Sequence, residues 1–149
     1  MSANRLSQLT QNDWVLIQGT AVRRIYKLGE EIIRQGDWGD SIFIIRRGEA
    51  SVELAGTGSR AILACLGPDD ICGEIAFLER GRATAAVIAS DEEVEVDQLN
   101  TKDLRATFDA FPRLACRFYH SLAMILAQRL HATSKELARE MILRDGRGK

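Results

Sequence analysis

Histidine, cysteine and excess charge are all scarce in this chain, and each scarcity removes a class of function. Only two histidines occur in 149 residues, His120 and His131. They fall on roughly one face of an expected helix and read as ordinary surface side chains. The three cysteines, Cys65, Cys72 and Cys116, are odd in number and lack metal-type spacing. Free thiols in a reducing compartment fit them better than a disulfide framework. A formal net charge of -1 leaves no basic footprint for nucleic acid over the whole chain. No apolar run approaches the length of a membrane span, and the polar start MSANRLSQLTQ is not a signal peptide. A cytoplasmic protein without membrane contact is the expectation. No Ser-His-Asp order, nucleophile elbow or P-loop is found, so no catalytic residue is nominated.

What is present is an ordinary globular mix, 46% hydrophobic and 28% charged. One domain of this length buries a core without staples. Apolar positions at helical spacing from Leu6 to Gln18 predict a short N-terminal helix, with Thr10 or Asn12 as its cap. From Ala21 short apolar runs alternate with glycine punctuation. VRRIY, EEIIRQ, SIFIIRR, ASVELA, RAILACL, ATAAVIA and EEVEVDQL read as seven or eight strands of an all-β module. Gly67-Pro68-Asp69-Asp70 is a turn signal among them.

At Asn100 the texture changes again. Asn100 is placed to cap a short helix whose apolar edge is Leu104, Phe108 and Phe111. Pro112 suits a first helical turn, and nothing breaks helix from there to about Arg144. Leu122, Leu126, Leu130, Thr133, Leu137 and Met141 form a continuous stripe along it. That is more apolar surface than one small core needs, and packing against a second copy would use it. The fold class is therefore α+β: an antiparallel, jelly-roll-like β-roll of about eight strands, a short N-terminal helix and a long C-terminal one. The expected divisions are 1–20 helical segment, 21–99 roll, 100–144 C-terminal helices and 145–149 frayed tail, all one domain. Metal-binding jelly-roll enzymes share this shape, but they need clustered histidines on strands. None occurs in the β-region, so no metal site is expected.

The stretch CGEIAFLERGRATAAV, Cys72 to Val87, stands out within the β-texture. Small residues there leave room for something to come close, and the adjoining glutamate and arginines suit a polar, anionic visitor.

Gly29-Glu30, Gly36-Asp37, Gly39-Asp40, Phe43-Ile44, Gly48 and Gly73-Glu74 occur in an order and spacing that resembles the cyclic nucleotide-binding domain family. The resemblance covers about Trp14 to Arg139. It implies a turn and a very short helix between two strands, with backbone N–H groups pointing at a cyclic phosphate. It implies that Gly73, Ile75 and Ala76 offer backbone to the ligand and that Glu74 accepts a hydrogen bond from the ribose 2'-hydroxyl. An arginine of this cassette would hold the phosphate by forked bonding.

Here the sequence departs from the family pattern, and two registers are open. Without a gap between Gly73-Glu74 and Val87, Ala83 falls on the arginine position, with Thr84 after it. With the loop one residue shorter, Arg82 and Ala83 take the usual roles. A one-residue slip reverses side-chain direction, so the two differ physically. The expectation adopted is Arg82 on the phosphate, with Arg80 in reserve and Thr84 at a purine edge or phosphate oxygen. The resemblance also implies that the long helix covers the base, with residues near Arg129 to Thr133 as candidates. Trp38, in the turn GDWGD, is expected at the surface.

The function implied is cyclic nucleotide sensing by a non-catalytic regulatory domain, with cAMP or cGMP as ligand and no cofactor. Ligand would shift the C-terminal helices and so change a homodimer or a protein partner bound in trans. The alternative is a degenerate relative that binds another ligand or none and works as a scaffold. Too few residues follow Arg144 for a helix-turn-helix, so a stand-alone sensor without direct nucleic-acid contact is expected.

Overall fold

Thr10 caps the first helix, α1 (Gln11–Gln18), by accepting from the Asp13 amide, while the Asp13 carboxylate accepts from the Thr10 amide. This reciprocal box satisfies two amides that a helix start leaves open. The computed structural model describes residues 5–148; the first four residues and Lys149, parts of the expected N-terminal segment and tail, lie outside the described residues.

Eight strands follow, with one short helix among them. They are β1 (Val22–Lys27), β2 (Glu31–Ile33), β3 (Ser41–Arg47), β4 (Ala50–Ala55), β5 (Arg60–Leu66), β6 (Ile71–Cys72), then α2 (Glu74–Glu79), β7 (Ala86–Ala89) and β8 (Glu93–Asn100). They form two four-stranded antiparallel sheets, ordered β1-β8-β3-β6 and β2-β7-β4-β5. The chain is an antiparallel β-roll with helices at one side, as its sequence implied.

SIFIIRR shows why one strand reads as a solid apolar run. Alternate side chains point to opposite faces. Phe43 and Ile45 enter the core between the sheets, with Ala50, Leu66, Val87, Val94 and Val96. Ile42 and Ile44 face the helices instead, with Ile17, Phe77, Leu104, Phe118 and Leu122. Both faces of β3 are covered, so both must be apolar.

Asn100 accepts from the Lys102 and Asp103 amides and starts α3 (Thr101–Ala110). Leu104 and Phe108 are buried, but Phe111 is exposed, because the helix ends at Ala110 and the chain turns there. Pro112 then opens α4 (Pro112–Arg147). At 36 residues it is about 54 Å long at 1.5 Å per residue. It continues to Arg147, so residues 145–147 are helical rather than the expected tail. Its first half is anchored to the core by Leu114, Phe118, Leu122 and Ile125. A forked ion pair ties it to α1, with Arg117 donating to Asp13 at 2.6 and 2.8 Å. That guanidinium holds the Asp13 carboxyl down at about 2. Beyond Ile125 the stripe emerges from the core: Leu130, Leu137 and Met141 are all exposed.

Candidate functional site

Between α2 and α4 lies a cleft of about 460 Å³. Its floor is the sheet β2-β7-β4-β5, which contributes Ile33, Val87, Val52 and Leu63. One wall is Gly73, Glu74, Ile75 and Ala76, with Ala83, Thr84 and Ala85 beside it. The roof is one face of α4, where Gln128, Arg129, Ala132, Thr133 and Glu136 recur at helical steps of one, three and four.

Two glycines make the wall possible. Gly73 has φ +87°, and a Cβ there would sit 2.9 Å from the Ser41 carbonyl oxygen. The chain turns sharply from β6 into α2 only because that atom is missing. Gly39, in the turn before β3, lies so close to α2 that an added Cβ would meet the Ala76 Cβ at 2.6 Å. The turn GDWGD is thus the backing against which α2 is seated.

Glu74 is the first residue of α2, and its side chain is only 4% exposed. A carboxylate so deeply placed needs a partner, and Arg129 supplies one from α4, donating through Nη1 to Oε1. The pair joins wall to roof. Cys72, which lines the cleft from β6 of the other sheet, is buried; burial pushes its thiol far up, with the Glu74 charge adding to the effect. It is a packing residue without thiolate character. Cys65 and Cys116 are also free thiols.

Of the residues nominated from sequence, Gly73, Glu74, Ile75, Ala76, Ala83 and Thr84 all line the cleft. Arg82 does not, and the expectation that it points inward is corrected. It bridges to Trp38 across the turn. Its guanidinium lies 4.6 Å from the Trp38 ring centroid and donates to the Gly36 carbonyl. The cause is backbone register. The Ala83 amide donates to the Asp37 carbonyl at 2.7 Å, and the Ala83 carbonyl accepts from Gly36. This fixes Ala83 at the cleft and turns Arg82 away. The same bonds keep 83–85 out of β7, which shortens the expected strand ATAAVIA. Arg80 also lies outside, exposed at the C-cap of α2 with φ +52°. Trp38 is exposed, as expected.

Of residues 129 to 133, Arg129, Ala132 and Thr133 line the cleft while Leu130 and His131 do not, and Gln128 and Glu136 were not anticipated. The signal for them was helical periodicity counted from Arg129, usable only once one roof residue was known.

The cyclic nucleotide-binding domain model matches residues 23–111. The chain is 34% identical over 142 residues to cyclic GMP-binding protein C of Dictyostelium discoideum, a match spanning 90% of this chain and 5% of that protein. It is 35% identical over 118 residues to the cyclic AMP receptor protein of Thermus thermophilus, spanning 77% of this chain and 51% of the relative. The chain thus spans at most about half the length of these two relatives. Among solved structures, the Thermus thermophilus catabolite activator protein superposes with a TM-score of 0.76 at 28% identity, over 94% of this chain and 63% of that one.

Proposed function

Because this chain belongs to the cyclic nucleotide-binding domain family, we propose that it is a non-catalytic sensor that takes cAMP or cGMP in the cleft between α2 and α4. The observation that carries this reading is the Glu74–Arg129 pair, which makes the ligand wall and the long helix share one contact. A nucleotide whose ribose hydroxyl donates to Glu74 shares that carboxylate with Arg129. The helix arrangement that binds ligand better then gains population. The apolar floor suits a base and ribose, and the first amides of α2, without partners inside the helix, suit polar atoms.

The output surface in this reading is the exposed stripe of α4, meeting a second copy of the chain or a protein partner. No described helix is long and apolar enough to cross a membrane.

Calorimetric titration of the purified chain with cAMP, cGMP and cyclic dinucleotides tests the proposal. Saturable heat with a cyclic mononucleotide, weakened in Glu74→Ala, is expected. Absence of heat with all of them removes it.

One observation favours a second reading. With Arg82 turned to Trp38 and Ala83 at the cleft, the wall offers no arginine. A scaffold that binds another ligand, or none, would show a tight protein partner and no melting shift with any nucleotide.

A further inference from the structure

We propose that a second groove, separate from the cleft, binds a small organic monoanion: a carboxylate carried on an apolar or aromatic body. Arg46 and Arg5 take the carboxylate, and Trp14 takes the body. The assignment does not rest on the cyclic nucleotide reading.

The groove has a volume of about 770 Å³ and lies where the N-terminal segment, α1, β3 and the turn after β5 meet α4. Its described charged lining residues are Arg5, Arg46 and Asp69. Trp14, Met124 and Ile125 give it an apolar side. It meets the cleft at Gln128, which lines both.

Arg46 carries unused binding capacity. Its Nε donates to the buried Asp97 carboxylate at 2.5 Å, and Asp97 also holds Arg23. Its Nη1 reaches Asp69 only at 3.4 Å. Its Nη2 is buried and, among the described residues, has no acceptor. A buried donor without a partner is costly, and native interiors rarely keep one. A carboxylate beside Nη1 and Nη2 would complete the two-pronged bonding that a guanidinium offers.

Asp69 is a poor occupant of that place. Its carboxylate lies between two guanidiniums, 3.4 Å from Arg46 Nη1 and 3.8 Å from Arg5 Nη2, and its side chain is 54% exposed. Pairs of such length and exposure hold weakly. An entering carboxylate that displaces Asp69 into solvent gains both arginines at once. One negative charge is the matching number: with Asp69 turned away, Arg46 is still balanced by Asp97, and Arg5 is left over. Trp14 is adjacent, since the Arg46 guanidinium carbon lies 5.6 Å from its ring centroid. A planar or apolar body on the acid then covers the indole, where aromatic surface is the largest apolar contact on offer.

The chain has two tryptophans, and Trp38 lies outside the groove. The two indole N–H signals of a heteronuclear NMR spectrum, assigned with Trp38→Phe, therefore carry their own control. Titration of the full chain with phenylacetate should shift Trp14 saturably and leave Trp38 still; neutral phenylacetamide should shift neither. Asp69→Asn removes the competing charge and keeps a residue that tolerates the φ of +71° found there. It should tighten phenylacetate about two- to fivefold, a gain that a residue serving only the turn would not give. Arg46→Gln should weaken it about tenfold or more. Because Arg46 also serves Asp97, the loss is checked with Arg5→Ala, which leaves that pair intact and should weaken binding in the same direction. No saturable shift of Trp14, equal shifts with acid and amide, or no gain in Asp69→Asn overturns the assignment.

Discussion

Arg105 holds Phe77 twice. Its guanidinium lies 4.7 Å from the centre of the Phe77 ring and donates to the Phe77 carbonyl at 3.1 Å. Phe77 is in α2, Arg105 in α3, and the ring also meets Phe108, Phe118 and Tyr119 edge-on or stacked. The short helix at the cleft is therefore clamped to both C-terminal helices from its inner side.

Cutting that clamp should loosen the connection between cleft and helices more than it harms the fold. Arg105→Ala removes one partly buried hydrogen bond and one cation–ring contact, together worth on the order of 1–2 kcal/mol. Hydrogen exchange should show faster opening of α2 and of α3, with the strands unchanged. In the sensor reading, ligand should then protect α2 without the accompanying change in α4. Unaltered exchange throughout would show that the aromatic cluster alone is sufficient.

Gly39 makes a sharper test of the wall. Gly39→Ala forces either the turn or α2 to move, because the new methyl would lie 2.6 Å from the Ala76 Cβ. Overpacking of this kind costs about 1–3 kcal/mol. Gly67→Ala is the matched control, since nothing lies within 4 Å of its added Cβ and its φ is not positive. Urea unfolding should separate the two variants; equal midpoints would mean that the wall yields freely.

Much of this architecture was legible from residue patterns, and the failures have physical causes. SIFIIRR, ASVELA and RAILACL were read with the bounds of β3, β4 and β5, because each is an apolar run stopped by a turn. Asn100 was legible as a cap, and Thr10 as one of two candidates with Asn12, because cap chemistry is local; Asn12 lies inside α1. β6 is two residues long, too short for any periodicity. The direction of Arg82 was not legible because one residue of slip reverses a side chain, and tertiary bonds from Ala83 to the distant turn at Gly36 and Asp37 decide it. The Glu74–Arg129 contact joins positions 55 apart, and nothing in the local sequence of either announces the other.

The Asp13–Arg117 pair predicts a pH dependence with a definite sign. Its hydrogen bonds from Arg117, the largest influence, and from Thr10 outweigh burial, lowering the carboxyl from 3.8 to about 2. A lowered folded value means the stabilisation is complete well above pH 4 and is lost as pH falls toward 2. The shift corresponds to about 2 kcal/mol at neutral pH. Asp13→Asn should be less stable than the parent by that order at pH 6, and the gap should narrow by about 1 kcal/mol at pH 3. A gap independent of pH would assign the loss to packing rather than to charge.

The far half of α4 sets the last prediction. Leu130, Leu137 and Met141 lie on one helical face and are 68%, 56% and 59% exposed. A helix end without tertiary packing gains little from propensity alone, so this stretch needs a surface to lie against. A second copy of the same helix offers the same stripe in self-complementary form. Light scattering on the purified chain should give twice the monomer mass of 16.6 kDa. Leu137→Glu places a charge in the middle of the stripe, away from the residues that line the cleft. It should return the mass to that of one chain, lower the helical circular dichroism and leave the β-roll folded. A monomeric parent chain with full helicity would instead assign the stripe to a different protein partner.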